Sequence, residues 1–364
     1  MTSLFDPIEF GAIHAKNRIV MAPLTRGRSV GVHVPISALK ADYYAQRAGA
    51  GLIIAEATGI SQEGSGWPSA PGIWSAEQVE AWKPVTEAVH KADGKIILQL
   101  WHMGRLVHPD FLGGAQPVSA SATTAPGDAH TVTGKKPYEQ ARPLRLDEIP
   151  RLIGDYTHAA KNAIAAGFDG VQLHSANGYL IDQFLRDNSN FRDDDYGGPI
   201  ENRIRLLREI TQALAETVGA NRTSVRLSPN GETQGVDDSN PVALFTAAAA
   251  ALQDIGISFL ELREQKTFGS FGTSDVPRVS PDIRKVFKAP LVLNQEYTLE
   301  TANADLESGL ADAISFGRKF ISNPDLPVRL KNGFELAPDN FRTWYTPGPE
   351  GYTDYPASDA LVAA

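Results

Sequence analysis

Eight short apolar runs, at positions 18–23, 51–58, 95–101, 170–174, 223–228, 257–263, 290–295 and 311–317, recur along the chain with helix-period segments between them. Runs so short, and apolar at nearly every position, suit strands buried on both faces. Leu146, Ile149, Ile153, Tyr156, Ala160, Ala163 and Ile164 form a three–four stripe. Ile200, Ile204, Leu207, Thr211, Leu214 and Val218 form another, and segments near 36–48, 76–92, 241–255, 298–308 and 323–332 complete the helical set. Strands alternating with helices predict an α/β fold with a parallel sheet, and eight of them predict a closed (β/α)8 TIM barrel. No run is followed by Gly-x-Gly-x-x-Gly, which counts against an open dinucleotide-binding sheet.

Length alone, 364 residues, would suggest two or three domains, but one barrel with insertions accounts for all of it. A single domain over 1–364 is therefore expected. Residues 102–145 are rich in Gly, Pro, Ser and Thr, lack helix periodicity, and predict a hairpin or lid over the barrel mouth. Residues 175–198 form a second long loop, and 333–364 a C-terminal tail. Long loops at the carboxyl ends of barrel strands are where such folds carry function.

A hydrophobic content of 42% supplies a large core. The net charge of −9, with no basic run, argues against nucleic-acid or anionic-membrane partners. The chain has no cysteine, so disulfides, thiolate nucleophiles and cysteine-bound metals are excluded. The N-terminus lacks a basic segment followed by an apolar core, and no apolar run approaches the roughly 20 residues of a membrane helix. These features predict a soluble, cytoplasmic protein.

The most informative stretch is Gly170-Val-Gln-Leu-His174-Ser-Ala-Asn177-Gly-Tyr179. Histidine and asparagine three apart, just past a strand end, can aim two donors at one substrate oxygen. Tyr179, with an ordinary pKa of about 10, stays protonated at neutral pH and can give a proton to carbon. A lone strand-end histidine also serves as a satisfied structural residue, so neighbouring strand ends carry the argument. They offer Pro23, Leu24 and Thr25, then Glu56 and Ala57, then Gln99, Trp101 and His102, then Arg226, Asn294, Gln295, Gly317 and Arg318. Such groups can hydrogen-bond a flat, heteroatom-rich ring, with Arg226 at the anionic edge of, for example, a reduced flavin. Loops after strands seven and eight are the usual barrel phosphate site, which suits Arg318; a rim salt bridge is the alternative.

Across essentially its whole length the chain resembles the Old Yellow Enzyme family of FMN-dependent ene-reductases, in particular its N-ethylmaleimide reductase and pentaerythritol tetranitrate reductase branch. The motifs are Lys16-Asn-Arg-Ile-Val-Met-Ala-Pro-Leu-Thr25, Gln99-Leu-Trp101-His102, His174-Ser-Ala-Asn177-Gly-Tyr179-Leu, Asp195-Tyr-Gly-Gly-Pro-Ile-Glu201-Asn202-Arg203 and Ser315-Phe-Gly317-Arg318. The resemblance implies a tightly bound, non-covalent FMN, NADPH or NADH as reductant, and activated alkenes as substrates. It assigns Pro23, Leu24, Thr25, Ala57, Gln99, Arg226, Gly317 and Arg318 to FMN, with His174, Asn294 and Gln295 beside it. It assigns His174 and Asn177 to the electron-withdrawing group, and Tyr179 to proton donation. Trp67, Trp101, Arg142 and Tyr352 match positions that shape substrate access. Trp67 stands where relatives often carry tyrosine. Gln295-Glu296 is acidic where small residues are common, so backbone N–H groups would serve the phosphate there. Thr25 sets the chain apart from the thermophilic-like subgroup.

Two other readings compete. A Schiff-base aldolase would need a buried lysine at a strand end, and Lys266, after Arg263-Glu264-Gln265, is a poor candidate. A flavin-binding carrier or sensor would have no use for an acid at position 179.

Overall fold

The computed structural model describes residues 2–268 and 272–358. Its barrel strands are β1 (Ile19–Met21), β2 (Leu52–Gly59), β3 (Ile96–Trp101), β4 (Gly170–His174), β5 (Thr223–Leu227), β6 (Phe259–Arg263), β7 (Leu291–Asn294) and β8 (Ala313–Phe316). Neighbours run parallel, and β8 pairs back onto β1 through Ser315↔Val20 and Phe316↔Met21, closing the (β/α)8 barrel. The outer ring is α1 (Ser37–Ala45), α2 (Ala76–Lys91), α3 (Ile149–Ala165), α4 (Arg205–Val218), α5 (Pro241–Ile255), α6 (Ser280–Val286), α7 (Leu299–Glu307) and α8 (Leu326–Asn332). Among the described residues no helix is long and apolar enough to cross a membrane.

Beneath the uniform apolarity of the strands lies a period of two. Leu98, Leu100, Val171, Leu173, Val225, Leu260, Leu262, Leu293 and Ile314 join one cluster with the helix residues Trp82, Tyr156, Ile210 and Leu244. Val20, Leu52, Ile54, Ile97, Phe259, Val292 and Ala313 join a separate cluster inside the barrel. A hairpin of Ile8–Phe10 and Ile13–Ala15 plugs that inner cluster from below, with the Phe10 ring 5.0 Å from Phe259. Two residues further along the same inward rows the side chains become polar: Gln99, Gln172, Glu261, Asn294 and Ser315, all buried. The barrel thus has an apolar floor and a polar upper tier.

The N-terminal hairpin and α6 are additions to the sequence expectation. α6 is only seven residues long, with Pro281 in its first turn, and is too short to show a helical period. The 200–218 stripe divides at Ile204 into Ile200–Arg203 and α4. Within 102–145 the structure places the expected hairpin, Asp128–Thr131 paired with Gly134–Pro137.

The tail turns back onto the loop that follows β1. Arg26 donates to the carbonyls of Trp344 (3.2 Å) and Gly351 (2.6 Å), and Arg28 to Trp344 (2.6 Å). Tyr352 stacks on Tyr43, centroids 4.0 Å apart and planes 6° from parallel, with the Arg28 guanidinium 4.4 Å from the Tyr352 ring centre. Both rings are fully buried. Tyr352→Ala is expected to cost about 3–5 kcal/mol, the scale of aromatic truncations in cores. A thermal midpoint equal to the parent's would show that the clasp contributes little.

Candidate active site

A cavity of about 610 Å³ opens at the carboxyl ends of the strands. Its size lies within the range usual for cofactor and small-molecule sites. Pro23, Leu24 and Thr25 follow β1 into its wall. On β2, a bulge between Ala55 and Thr58 breaks the pairing with β3. Ala57 lines the cavity, while the Glu56 side chain leaves it to meet Lys40 Nζ at 2.5 Å. Gln99 and Trp101 come from β3, His174 from β4, Arg226 from β5, Arg263 from β6, and Asn294 with Gln295 from β7. Gly317, Arg318 and Lys319 close the circle after β8.

The loop after β4 brings Asn177 and Tyr179 to the same wall. Asn177 adopts φ +60°, a left-handed conformation that asparagine tolerates, and Gly178 follows at +78°. A Cβ on Gly178 would lie 2.7 Å from the Thr233 carbonyl, so glycine is needed there. The Asn177 backbone is pinned by its own N–H to Ser228 Oγ (2.8 Å) and by Gln234 Nε2 to its carbonyl (2.6 Å). Arg263 Nη1 donates to Asn177 Oδ1 at 2.9 Å, which leaves the amide nitrogen as the outward group. Tyr179 stands edge-on to Trp101 (5.0 Å, 86°) and to His174 (4.9 Å, 80°).

Burial holds the His174 imidazole well below its usual pKa, and the charges of Arg226 and Arg263 push it the same way. The ring is therefore neutral. Its Nδ1 accepts from the Ala176 N–H (3.4 Å), so the proton sits on Nε2, which is a donor. Burial also raises the Tyr179 phenol, only partly offset by a hydrogen bond from Gln234, and keeps it protonated. Arg263 is lowered to about 10 by burial and then by Arg226, and still carries its charge at neutral pH.

Not every expected residue reaches the cavity. Tyr352 is locked in the tail clasp, and Arg142 forms a two-pronged pair with Glu148 at 2.8 and 2.9 Å; neither lines the wall. The tail instead contributes Trp344 and Tyr345, and the 102–145 insertion contributes Pro126, Gly127, Asp128, His130 and Tyr138, with Trp67 facing His130 at 4.9 Å. Arg318 lines the cavity but pairs with Asp339 at 3.1 Å. Lys266 is not in the lining, and its ammonium lies 4.7 Å from the Tyr297 ring centre. Sequence reasoning missed Arg263, Gln234, Tyr138 and Tyr345. Arg263 alone had a signal, as the last residue of the sixth apolar run. Gln295 and Glu296 have φ of +107° and +50°, an uncommon conformation for residues other than glycine.

The donor set fits a flat flavin. Gln99, Thr25 and Arg226 offer polar contacts, Leu24 and Trp101 apolar ones, and Arg226 Nε and Trp101 Nε1 are buried atoms without a hydrogen-bond partner among the described residues. A fixed positive charge beside such a ring favours its reduced, anionic form.

Residues 3–337 match the model of the NADH:flavin oxidoreductase / NADH oxidase family. A chanoclavine-I aldehyde reductase of Penicillium roqueforti is 43% identical over 365 residues, covering 98% of this chain and 96% of that protein. The solved old yellow enzyme homologue of Zymomonas mobilis is 63% identical with a TM-score of 0.96, covering 97% of this chain and 99% of that one. Morphinone reductase, solved in complex with tetrahydroNAD, is 41% identical with a TM-score of 0.93, covering 99% and 98%. With barrel, cavity and relatives in agreement, the chain belongs to the NADH:flavin oxidoreductase / NADH oxidase family, as an FMN-dependent ene-reductase of the Old Yellow Enzyme type that draws its electrons from a nicotinamide.

Proposed function

We propose that the chain reduces the C=C bonds of enones, maleimides and nitroalkenes, with His174 and Asn177 holding the activating oxygen and Tyr179 supplying the proton. The observation that carries this reading is the convergence of three uncharged donors on one wall: His174 Nε2–H, the Asn177 amide and the Tyr179 phenol. Two donors aimed at one oxygen stabilise the negative charge that develops on it as the β-carbon accepts hydride. FMN held at this wall would supply that hydride, with NADPH or NADH as the source of its electrons. Tyr179, on the loop above His174, then gives its hydroxyl proton to the α-carbon. Pro23, Leu24, Thr25, Ala57, Gln99, Arg226, Asn294, Gln295, Gly317 and Arg318 hold the flavin in this reading, and Trp67 and Trp101 shape substrate access. A nicotinamide reductant also favours the cytoplasm as its place of work.

Tyr179→Phe is expected to slow 2-cyclohexenone reduction by about 10²–10⁴-fold, the usual cost of losing a general acid. Flavin reduction by NADPH should survive, because it needs no such proton. Stopped-flow traces of the two half-reactions separate the steps; an unchanged alkene step would demote Tyr179 to a pocket residue.

His174→Ala should lose about 10²–10³-fold in alkene reduction while retaining FMN. With the parent enzyme, the His174 contribution to the alkene step should stay level between about pH 6 and pH 8. An imidazole of ordinary pKa, about 6.5, would titrate across that window. A rate step near pH 6.5 that vanishes in His174→Ala would contradict the neutral-donor assignment.

Arg318→Ala should speed loss of FMN on dialysis, whereas Arg226→Ala should chiefly slow flavin reduction. If Arg318→Ala keeps stoichiometric FMN with unchanged affinity, the Asp339 salt bridge is the whole role of Arg318.

A further inference from the structure

The polar tier beneath the cavity contains a carboxylate that the proposed reaction does not use. Glu261 lies inside the barrel on β6, fully buried and outside the cavity lining. Its neighbours all offer donors: Gln172 Nε2 to Oε2 at 3.0 Å, Ser315 Oγ to Oε1 at 2.6 Å, and Arg226 Nε 3.6 Å from Oε2. A carboxylate only accepts, so it fixes the orientation of the amide facing it. Gln172 must turn its NH2 toward Glu261, and its carbonyl then faces Gln99. Gln99 Nε2 donates to that carbonyl at 2.7 Å. With one N–H of Gln99 Nε2 committed inward, the amide plane is fixed and its carbonyl oxygen is the acceptor turned toward the cavity, whose wall Gln99 forms.

A second arm leaves the same carboxylate. Ser315, bonded to Glu261 through Oγ, accepts from Asn294 Nδ2 through its backbone carbonyl (2.8 Å), and Asn294 Oδ1 accepts from Arg226 Nη2 (2.8 Å). Arg226 is thus held by Asn294 on one side and faces the Glu261 carboxylate directly at 3.6 Å on the other, so one buried charge sits behind both Gln99 and Arg226.

We propose that Glu261 is a positioning residue for the cofactor: through Gln172 it makes Gln99 present an acceptor, and beside Arg226 it balances the guanidinium charge. The inference rests on Gln99 and Arg226 contacting the flavin, as in the proposed function. The group recognised by Gln99 Oε1 is a ring N–H, which the pyrimidine edge of a flavin carries between its two carbonyls. A neutral amide at position 261 can face Gln172 with either end, so the relay loses its polarity. The carboxylate's charge also opposes added negative charge on a reduced flavin, and its loss should favour reduction.

The test uses purified holoenzymes of the parent, Glu261→Gln, Gln172→Leu, Gln99→Leu and Glu261→Gln/Gln99→Leu. Glu261→Gln is expected to release FMN about 10- to 100-fold more readily, the penalty scale of an unmade buried hydrogen bond. It should also raise the flavin midpoint potential. Gln172→Leu breaks the relay but keeps the charge, so it should weaken FMN retention with a smaller shift in potential. In the Gln99→Leu background, Glu261→Gln should add clearly less further loss of FMN than it causes in the parent, because the part of its effect that passes through Gln99 is already gone and only the part beside Arg226 remains. Additive losses in the double variant, or parental FMN retention and potential in a flavin-loaded Glu261→Gln, would overturn the proposal. If Glu261→Gln does not fold, Gln172→Leu decides alone: unchanged FMN retention overturns the relay. Failure of the underlying reading looks different, since Gln99→Leu and Arg226→Ala would then leave FMN retention and potential at parental values.

Discussion

Closing eight parallel strands on themselves leaves each strand one inward row of side chains, and every second residue must enter the barrel. That row cannot be apolar throughout if the mouth is to bind a polar cofactor, nor polar throughout if the floor is to exclude water. The chain meets both demands by changing chemistry two residues along each row, from Ile97 to Gln99, Phe259 to Glu261, Val292 to Asn294 and Ala313 to Ser315. Polar groups so deep cost free energy unless they are paired. The Gln99–Gln172–Glu261–Ser315 chain and the Arg226–Asn294 bond supply those partners.

Desolvation then does two jobs at one wall. Removing water disfavours whichever form of a group is charged, so it lowers the His174 imidazole and raises the Tyr179 phenol together. Both become neutral hydrogen-bond donors without a dedicated acidic or basic partner. Arg226 and Arg263 reinforce the effect on His174.

The barrel was legible because its signal is local: short apolar runs and helical stripes need only neighbouring residues. The His174, Asn177 and Tyr179 grouping was legible for the same reason, lying within six consecutive positions. The inward polar rows were hidden inside runs that looked uniformly buried, so Arg263, although placed at the end of the sixth run, was not singled out as a residue of the site. Gln234, Tyr138 and Tyr345 reach the cavity from three separate loops, and no local pattern encodes which loops meet. Tyr352 and Arg142 show the converse. Family likeness pointed both to the pocket, yet the first is consumed by stacking on Tyr43 and the second by Glu148.

The tail clasp has a consequence for the order of assembly. Arg26, one residue beyond the cavity-lining Thr25, finds its carbonyl partner on Gly351, 325 positions later in the chain. Trp344 and Tyr345 belong to the same late segment and form part of the cavity wall. During synthesis the barrel strands are all made before this wall exists, and contacts of such long sequence separation are the slow ones to form. A chain whose barrel has closed but whose tail has not yet docked would thus stand open on one side of its mouth, able to admit a bulky cofactor before the tail covers it.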